Sequence, residues 1–327
     1  HTYDVPALAS RATLAAQRYS AIAPSTAHAL HMPSHTFTRL GDWQASIDSN
    51  LASAAAARAA AQPAEELHAS DYLVYAYLQT AQDAAAHRYV ESAAQAFARY
   101  DPVTARSEAA GPPAAFFAHA AIPARYCLER HDWDCAAALE PLASNYVYTD
   151  AISWFARGLG TAHLKRLSET RAAIDRLNEL HTKLVTANEI YWANQVDIQR
   201  QELSAWLAAA EGDSTSALDQ LRGAAEAEDR TEKNVVTPGP LAPAREQLGD
   251  LLLQLDRPSE AASEYDAALR REPNRFWSLY GAARATSQAG DRKAAHRYAG
   301  QLLAITNHAE APGRAELGEV RRLATRE

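Results

Sequence analysis

A recurring spacing of small residues restricts this chain more than any other feature. In the segment PAREQLGDLLLQLDRPSEAASEYDAALRREPN, Pro243 to Asn274, Gly249, Ala261 and Ala268 stand where two antiparallel helices must touch. Leu248, Leu252 and Tyr265 supply bulk between them, and a Pro-Asn pair stops the second helix. Ala261 recurs 34 residues later as Ala295, inside FWSLYGAARATSQAGDRKAAHRYAGQLLAI, whose turn falls at Gly290-Asp291. The same turn is repeated upstream in LGDWQAS, RHDWDCA and AEGDSTSA. There Asp42, Asp132 and Asp213 are natural N-cap acceptors for a helix whose small residue follows four positions later.

The spacing from the Leu-Gly pair to Ala, Tyr, Ala and Pro resembles the tetratricopeptide repeat. That resemblance implies an all-α fold: an α-solenoid of about seven TPR-like helix-turn-helix hairpins forming a right-handed superhelix with a concave groove. Composition agrees, since runs such as ASAAAARAAA and CAAAL, with only 13 glycines, favour helix over strand. At 327 residues the chain exceeds one ordinary core, so it is expected to form two domains or an elongated array in which each unit packs on its neighbours. Counting from the turns places hairpins at 26–40 with 43–60, 65–80 with 83–99, 113–129 with 133–144, and 149–165 with 168–184. The series continues with 188–211 and 214–228, 241–255 and 258–271, 276–289 and 292–305, and a last helix at 312–325. The organisation reads as N-terminal hairpins over 1–110, central hairpins over 111–234, and C-terminal repeats with a capping helix over 235–327. AAGPPAA and VVTPGPLAP serve as linkers, because consecutive prolines disfavour helix. Residues 4–23 look like a second helix without its first, so the chain is expected to begin within a repeat.

A net charge of −8 with dispersed basic residues leaves no stripe for a phosphate backbone, and nucleic acid is not expected as a partner. The longest stretch free of Lys, Arg, Asp and Glu, Tyr19 to Thr38, carries three histidines and two prolines and is not a membrane span. No Gly-rich phosphate loop or Gly-x-Ser-x-Gly elbow is found, and no nucleotide cofactor is expected. The only two cysteines, Cys127 and Cys135, flank the turn of one hairpin. They are expected to form a disulfide, with buried thiols replacing alanine as the other possibility. A bond would place the protein outside a reducing cytoplasm, most simply in a bacterial periplasm.

One short segment, STAHALHMPSHTFTRLGDW, holds three of the 12 histidines, and the offsets of three, four and seven return His28, His31 and His35 to one helix face. Tetratricopeptide ligands commonly meet the second, fifth and ninth positions of the unit. Aligning Ser46 with Ala261 puts these three histidines on those positions, and aligning Ala86 puts His68, Asp71 and Tyr75 there in the next hairpin. Imidazoles and a carboxylate converging from neighbouring helices suit zinc, iron, manganese or copper. Candidate metal ligands are therefore His28, His31, His35, His68, Asp71 and His1, with Tyr72 or Tyr75 near any reacting centre, where a metal with an open position would activate water or dioxygen. An N-terminal His1 could alternatively chelate copper through its amine and ring. Against the metal site stands the possibility that Pro33 distorts the helix and scatters the rings, leaving solvated or backbone-bonded histidines.

HALHMPSHTFTRLGDW also resembles a set of bacterial tetratricopeptide-repeat proteins of undefined activity. These carry HMPSH or HMPAH before an aromatic residue and a Gly-Asp turn, with an upstream HYxIHAYD-like segment matched here only by HTYD, through His1 and Asp4. VTPGPLAPAREQLGDLLLQL and PNRFWSLYGAARA match that set too, and it implies no reaction. YLVYAYLQ and NEIYWANQ are expected to pack between hairpins or wall a groove. Arg157 and Glu202 are candidates to orient a polar ligand, or else a structural ion pair. Two functions thus remain open: a metal-binding protein or metal-dependent enzyme, and a scaffold whose groove takes a small molecule or a peptide.

Overall fold

Each Asp of the repeated turn does what its position requires. In the computed structural model, which describes residues 2–141 and 144–325, the carboxylates of Asp42, Asp132, Asp213 and Asp291 accept hydrogen bonds from the backbone N–H three residues on, at 2.9–3.3 Å. A capped first turn fixes where the second helix of the hairpin begins. The small residues then let it approach its partner: Ser46, Ala136, Ala217, Ala261 and Ala295 are all buried.

The helices follow in pairs. After a 3-10 turn at Ala9–Ala12 come α1 (Thr13–Tyr19), α2 (Ala27–His31), α3 (Pro33–Leu40), α4 (Trp43–Ala59), α5 (Pro63–Gln79) and α6 (Asp83–Ala98). The middle of the chain forms α7 (Gly111–Leu128), α8 (Trp133–Ala137), α9 (Val147–His163), α10 (Leu167–Thr186), α11 (Ile190–Ala210) and α12 (Ser214–Asp229). The last part forms α13 (Ala244–Gln254), α14 (Pro258–Arg271), α15 (Phe276–Gln288), α16 (Arg292–Ile305) and α17 (Glu316–Thr325). The described residues contain no strand, and the architecture is an all-α solenoid of tetratricopeptide-like hairpins.

Three expectations need correction. The helix expected over 133–144 ends at Ala137, and the region expected over 4–23 is helical only as the 3-10 turn and α1. Pro33 does not scatter the histidine face. Met32 keeps helical angles (φ −50°, ψ −37°), so α2 runs into α3 with Pro33 at its first position, where a missing N–H costs least.

A fourth correction concerns the array itself, which does not pack on sequence neighbours alone. Its last hairpins return to the first ones. Trp43 donates from Nε1 to the Asn274 carbonyl at 2.7 Å, and Asn274 donates back to the Gly41 carbonyl at 3.2 Å. Gly41 has φ +66°, and a Cβ there would stand 2.3 Å from the Pro273 carbonyl oxygen, so only glycine allows this approach. Arg314 forks onto Asp83 at 2.7–3.2 Å, and the Glu310 carboxylate accepts from the Ala84 and Ala85 amides, capping α6 from a distance of over two hundred residues in sequence. Arg275, 1% exposed, donates to Glu246 (2.8 and 3.0 Å), to Glu129 (2.8 Å) and to the Tyr75 hydroxyl (2.7 Å).

A second seam is aromatic. Trp277 and His131 stack at 3.5 Å, Trp133 and His163 at 3.9 Å, and His163 continues to Trp206 at 4.5 Å, joining α15 to α8, α9 and α11. Beside it, Cys127 and Cys135 form the expected disulfide across the hairpin turn, with Cα atoms 5.5 Å apart.

Two predictions follow from this packing. A Cβ at Gly249 would lie 2.7–2.9 Å from the ring of fully buried Tyr265, so Gly249→Leu is expected to lower stability by about 1–3 kcal/mol through overpacking. Thermal denaturation equal to wild type would refute that register. Burial holds His131 at a pKa of about 3, helped by the charges of His163 and nearby arginines, and burial holds His163 at about 4. Both lie below the ordinary value near 6.5, so folding requires the neutral rings. Their contribution is complete above about pH 6.5 and is lost progressively as pH falls toward 4. The double variant His131→Phe, His163→Phe should therefore lose less melting temperature than wild type between pH 7 and pH 5; parallel losses would show that the two rings are not the titrating groups.

Candidate metal centre

α2 and α3 bring His31 and His35 to one face, and α5 presents His68 opposite them. One ring nitrogen from each lies within 4.8 Å of the others, and all three side chains are buried. His31 Nε2 and His35 Nε2 are 3.1 Å apart. The outer nitrogens fix the tautomers. His31 Nδ1 is 2.7 Å from Asn50 Oδ1, and His35 Nδ1 is 2.7 Å from Asp4 Oδ2, so in each ring the proton belongs on Nδ1, facing an acceptor. Both Nε2 lone pairs are thereby directed at one another across the center. Two lone pairs at that separation repel unless a cation or proton lies between them. His68 Nδ1, buried, has no hydrogen-bond partner among the described residues.

Burial sets the charge state. Desolvation lowers His31 to about 4 and His35 to about 3 despite the opposing hydrogen bonds their rings donate to Asn50 and Asp4, and it takes His68 well down as well. All three rings are neutral at pH 7, the form that ligates metals. Asp4 is the reverse case. Burial raises its pKa, but the hydrogen bond from His35 and the charge of Lys233 outweigh that and keep it ionised. Lys233 Nζ reaches Asp4 Oδ2 at 2.6 Å, and Arg39 Nε reaches Oδ1 at 3.0 Å. The imidazole of His35 is thus oriented by a carboxylate that two cations hold in place, the usual outer-shell arrangement for a ligating histidine.

The remaining sequence candidates take other positions. His28 turns to Glu65 at 3.2 Å, with its ring centroid 6.0 Å from that of His31, and stands at the rim of the triad. Asp71 does not join the cluster of ring nitrogens: Arg125, fully buried, donates from Nε to its Oδ1 at 3.1 Å, while its buried Oδ2 has no hydrogen-bond partner among the described residues. Tyr72 comes closest to the triad, its hydroxyl 3.1 Å from His35 Nδ1 while donating to the Thr237 carbonyl at 3.1 Å. Tyr75 instead donates to Glu272 at 3.0 Å and accepts from Arg275. Arg157 donates to the Leu139 carbonyl and lies beside Trp154. Glu202 is buried, and desolvation with the charge of Glu228 raises its pKa well above the ordinary carboxylate value. His1 lies outside the described residues.

Sequence reasoning missed Asn50, Arg39 and Lys233 and did not count Asp4 as part of the site. Asn50 sits on the inner face of α4, eight residues after the cap Asp42, and nothing local marks it. Lys233 is 229 residues from Asp4. Only the HTYD match pointed to Asp4.

The groove side of α5 is not open. The linker over 235–241 runs along it, with Arg125 donating to the carbonyls of Gly239 (3.4 Å) and Pro240 (3.1 Å), and Tyr72 to that of Thr237. Gly239 passes so near that a Cβ there would be 3.0 Å from the Tyr75 hydroxyl. No helix among the described residues is long and apolar enough to cross a membrane.

No protein-family model matches this chain, and no curated protein does. Among solved structures, a tetratricopeptide repeat protein from Parabacteroides merdae is similar at 12% identity and a TM-score of 0.43, over 92% of this chain and 99% of that one. A chain of the APC/C hetero-tetramer Cut9-Hcn1 is similar at 13% identity and a TM-score of 0.35, over 95% of this chain; the match spans 58% of that longer chain. The site stands on its own geometry.

Proposed function

We propose that this chain is a metal-binding protein that holds one transition-metal ion through His31, His35 and His68. The observation that carries this reading is the enforced pair of facing Nε2 lone pairs, fixed by Asn50 on one side and Asp4 on the other, with a ring nitrogen of buried His68 within 4.8 Å of ring nitrogens of both. An all-imidazole set suits zinc, copper or iron better than manganese, and three histidines are a known zinc complement. The alternative, a scaffold for a foreign peptide, would require displacing the linker that Arg125 and Tyr72 hold on the inner face.

Protein prepared without a histidine tag and dialysed against zinc sulfate is expected to retain about one equivalent of zinc by elemental analysis. His31→Ala, His35→Ala and His68→Ala should each abolish retention. Asp4→Asn should weaken zinc affinity roughly 10–100-fold by freeing the His35 ring. Wild type that retains no zinc, copper or iron, and whose melting temperature none of them raises, would remove the proposal.

We propose further that the protein works in an oxidising compartment such as a bacterial periplasm, because the Cys127–Cys135 bond would not persist in a reducing one. Denatured, unreduced protein from its native source should show no free thiol. Two free thiols would overturn this.

A further inference from the structure

Behind the Asp4 side of the histidine site lies a cleft, partly open to solvent, walled by α9, α11, α12, α14 and the 231–243 linker. Arg39 and Lys233, the cations that hold Asp4, form part of its lining, as does Thr237, whose carbonyl accepts from Tyr72. Asp4 and Tyr72 each contact both His35 and residues of this lining.

Two chemistries meet in this cleft. One wall is aromatic: Trp192 and Tyr148 stack at 3.9 Å, with Phe117 5.8 Å from Trp192 and Tyr191 fixed by accepting from the Asn234 amide. The other carries five cations, Arg39, Lys233, Arg245, Arg271 and Arg275, against three carboxylates, Glu228, Asp229 and Glu272, in a chain of net charge −8. Arg245 and Arg275 are consumed by carboxylates, but Arg39 and Lys233 share the single buried carboxylate of Asp4, Arg39 having otherwise only the half-exposed Glu232 at 3.4 Å. Arg271 has no carboxylate within ion-pair distance among the described residues; its guanidinium is held in place by the carbonyls of Asp229 and Thr231. A separate observation points to a ligand as well: Gln199, in the lining, has a buried side-chain oxygen with no donor among the described residues.

We propose that the cleft binds an organic carboxylate with an aromatic or apolar body. The body lies on Trp192 and Tyr148, the carboxylate meets Arg271 at the Lys233 and Arg39 end, and a hydroxyl or amide N–H of the ligand satisfies the Gln199 oxygen. Arg271 is held ready by its two backbone bonds, so little ordering remains to be done on binding. A planar guanidinium is the side chain best matched to a carboxylate. The Gln199 oxygen gives preference for a hydroxylated ligand, because a ligand without a donor leaves it unpaired.

The inference does not rest on the metal reading, and its test separates the two. Phenylacetate, mandelate and the neutral phenylacetamide are titrated by calorimetry and tryptophan fluorescence into zinc-loaded and chelator-treated full-length protein. Both acids should bind saturably in either preparation, mandelate the more tightly, and the amide at least tenfold more weakly than phenylacetate. Arg271→Met should weaken the acids at least tenfold. Gln199→Leu, which removes an unpaired buried oxygen and should fold normally, should erase the preference for mandelate. Absence of saturable binding of the acids at millimolar concentration, equal binding of acid and amide, or unchanged affinity in folded Arg271→Met would overturn the proposal. If Arg271→Met does not fold, the acid-to-amide ratio and the Gln199→Leu result decide it. Carboxylate binding by a protein that holds no metal would sustain this inference and sink the metal reading alone.

Discussion

One buried guanidinium ties the C-terminal hairpins to the rest of the structure at three points. Arg275 stands between the last turns of α5, the end of α7 and the start of α13, and satisfies Tyr75, Glu129 and Glu246 at once. Removing so large a cation from water costs several kcal/mol, recovered only because three partners from three parts of the chain arrive in register. Burial would drive Arg275 toward the neutral form, but the charges of Glu129 and Glu246 reverse that and hold it ionised. Gly41, Trp43 and Asn274 make the neighbouring contacts of the same junction, Asn274 being next to Arg275 in the chain.

Closure in turn completes the histidine site. α2, α3 and α5 supply the three rings, as local helix geometry allows, but one of the two cations that fix Asp4, Lys233, comes from the linker after α12. That linker is pinned by Arg125, which is itself neutralised by Asp71. The carboxylate that seemed from its register to be a fourth ligand is thus used one step away, holding the segment that delivers Lys233. It is a positioning residue of the architecture.

The fold was largely legible because helix starts and small contact residues are local signals. The Gly-Asp turns, the caps and the spacing of Gly249 to Ala268 mark each hairpin without reference to the rest. The histidines were legible for the same reason, since offsets of three, four and seven define a face. What could not be read was anything made by return of the chain upon itself: Asp4 with Lys233, Trp43 with Asn274, Arg275 with Glu129. Register alone also favoured Asp71 and Tyr75 over Tyr72, because it assumes an open groove. Here the inner face is crossed by the Pro-rich linker, which claims the polar groups of α5 that an absent ligand would otherwise have met. Helix α8 is short for a similar reason: Ala137 is followed by Glu140 and Pro141, which a helix could tolerate only by losing a bond and crowding the preceding turn.

The bond between Asp4 and Lys233 has a consequence for how the chain reaches its native state. An open helical array can nucleate at any hairpin and spread outward by nearest-neighbour steps, and its contacts are nearly all local. A pair separated by 229 residues belongs to the other extreme, where the entropy of closing a long loop is spent before any contact repays it. The hairpins can therefore form early and independently, while the oriented His35 ring comes into being only when the two ends of the chain have met. The geometry of the histidine site is then a reporter of the last step of folding, and a truncated set of hairpins would carry the same three histidines without their alignment.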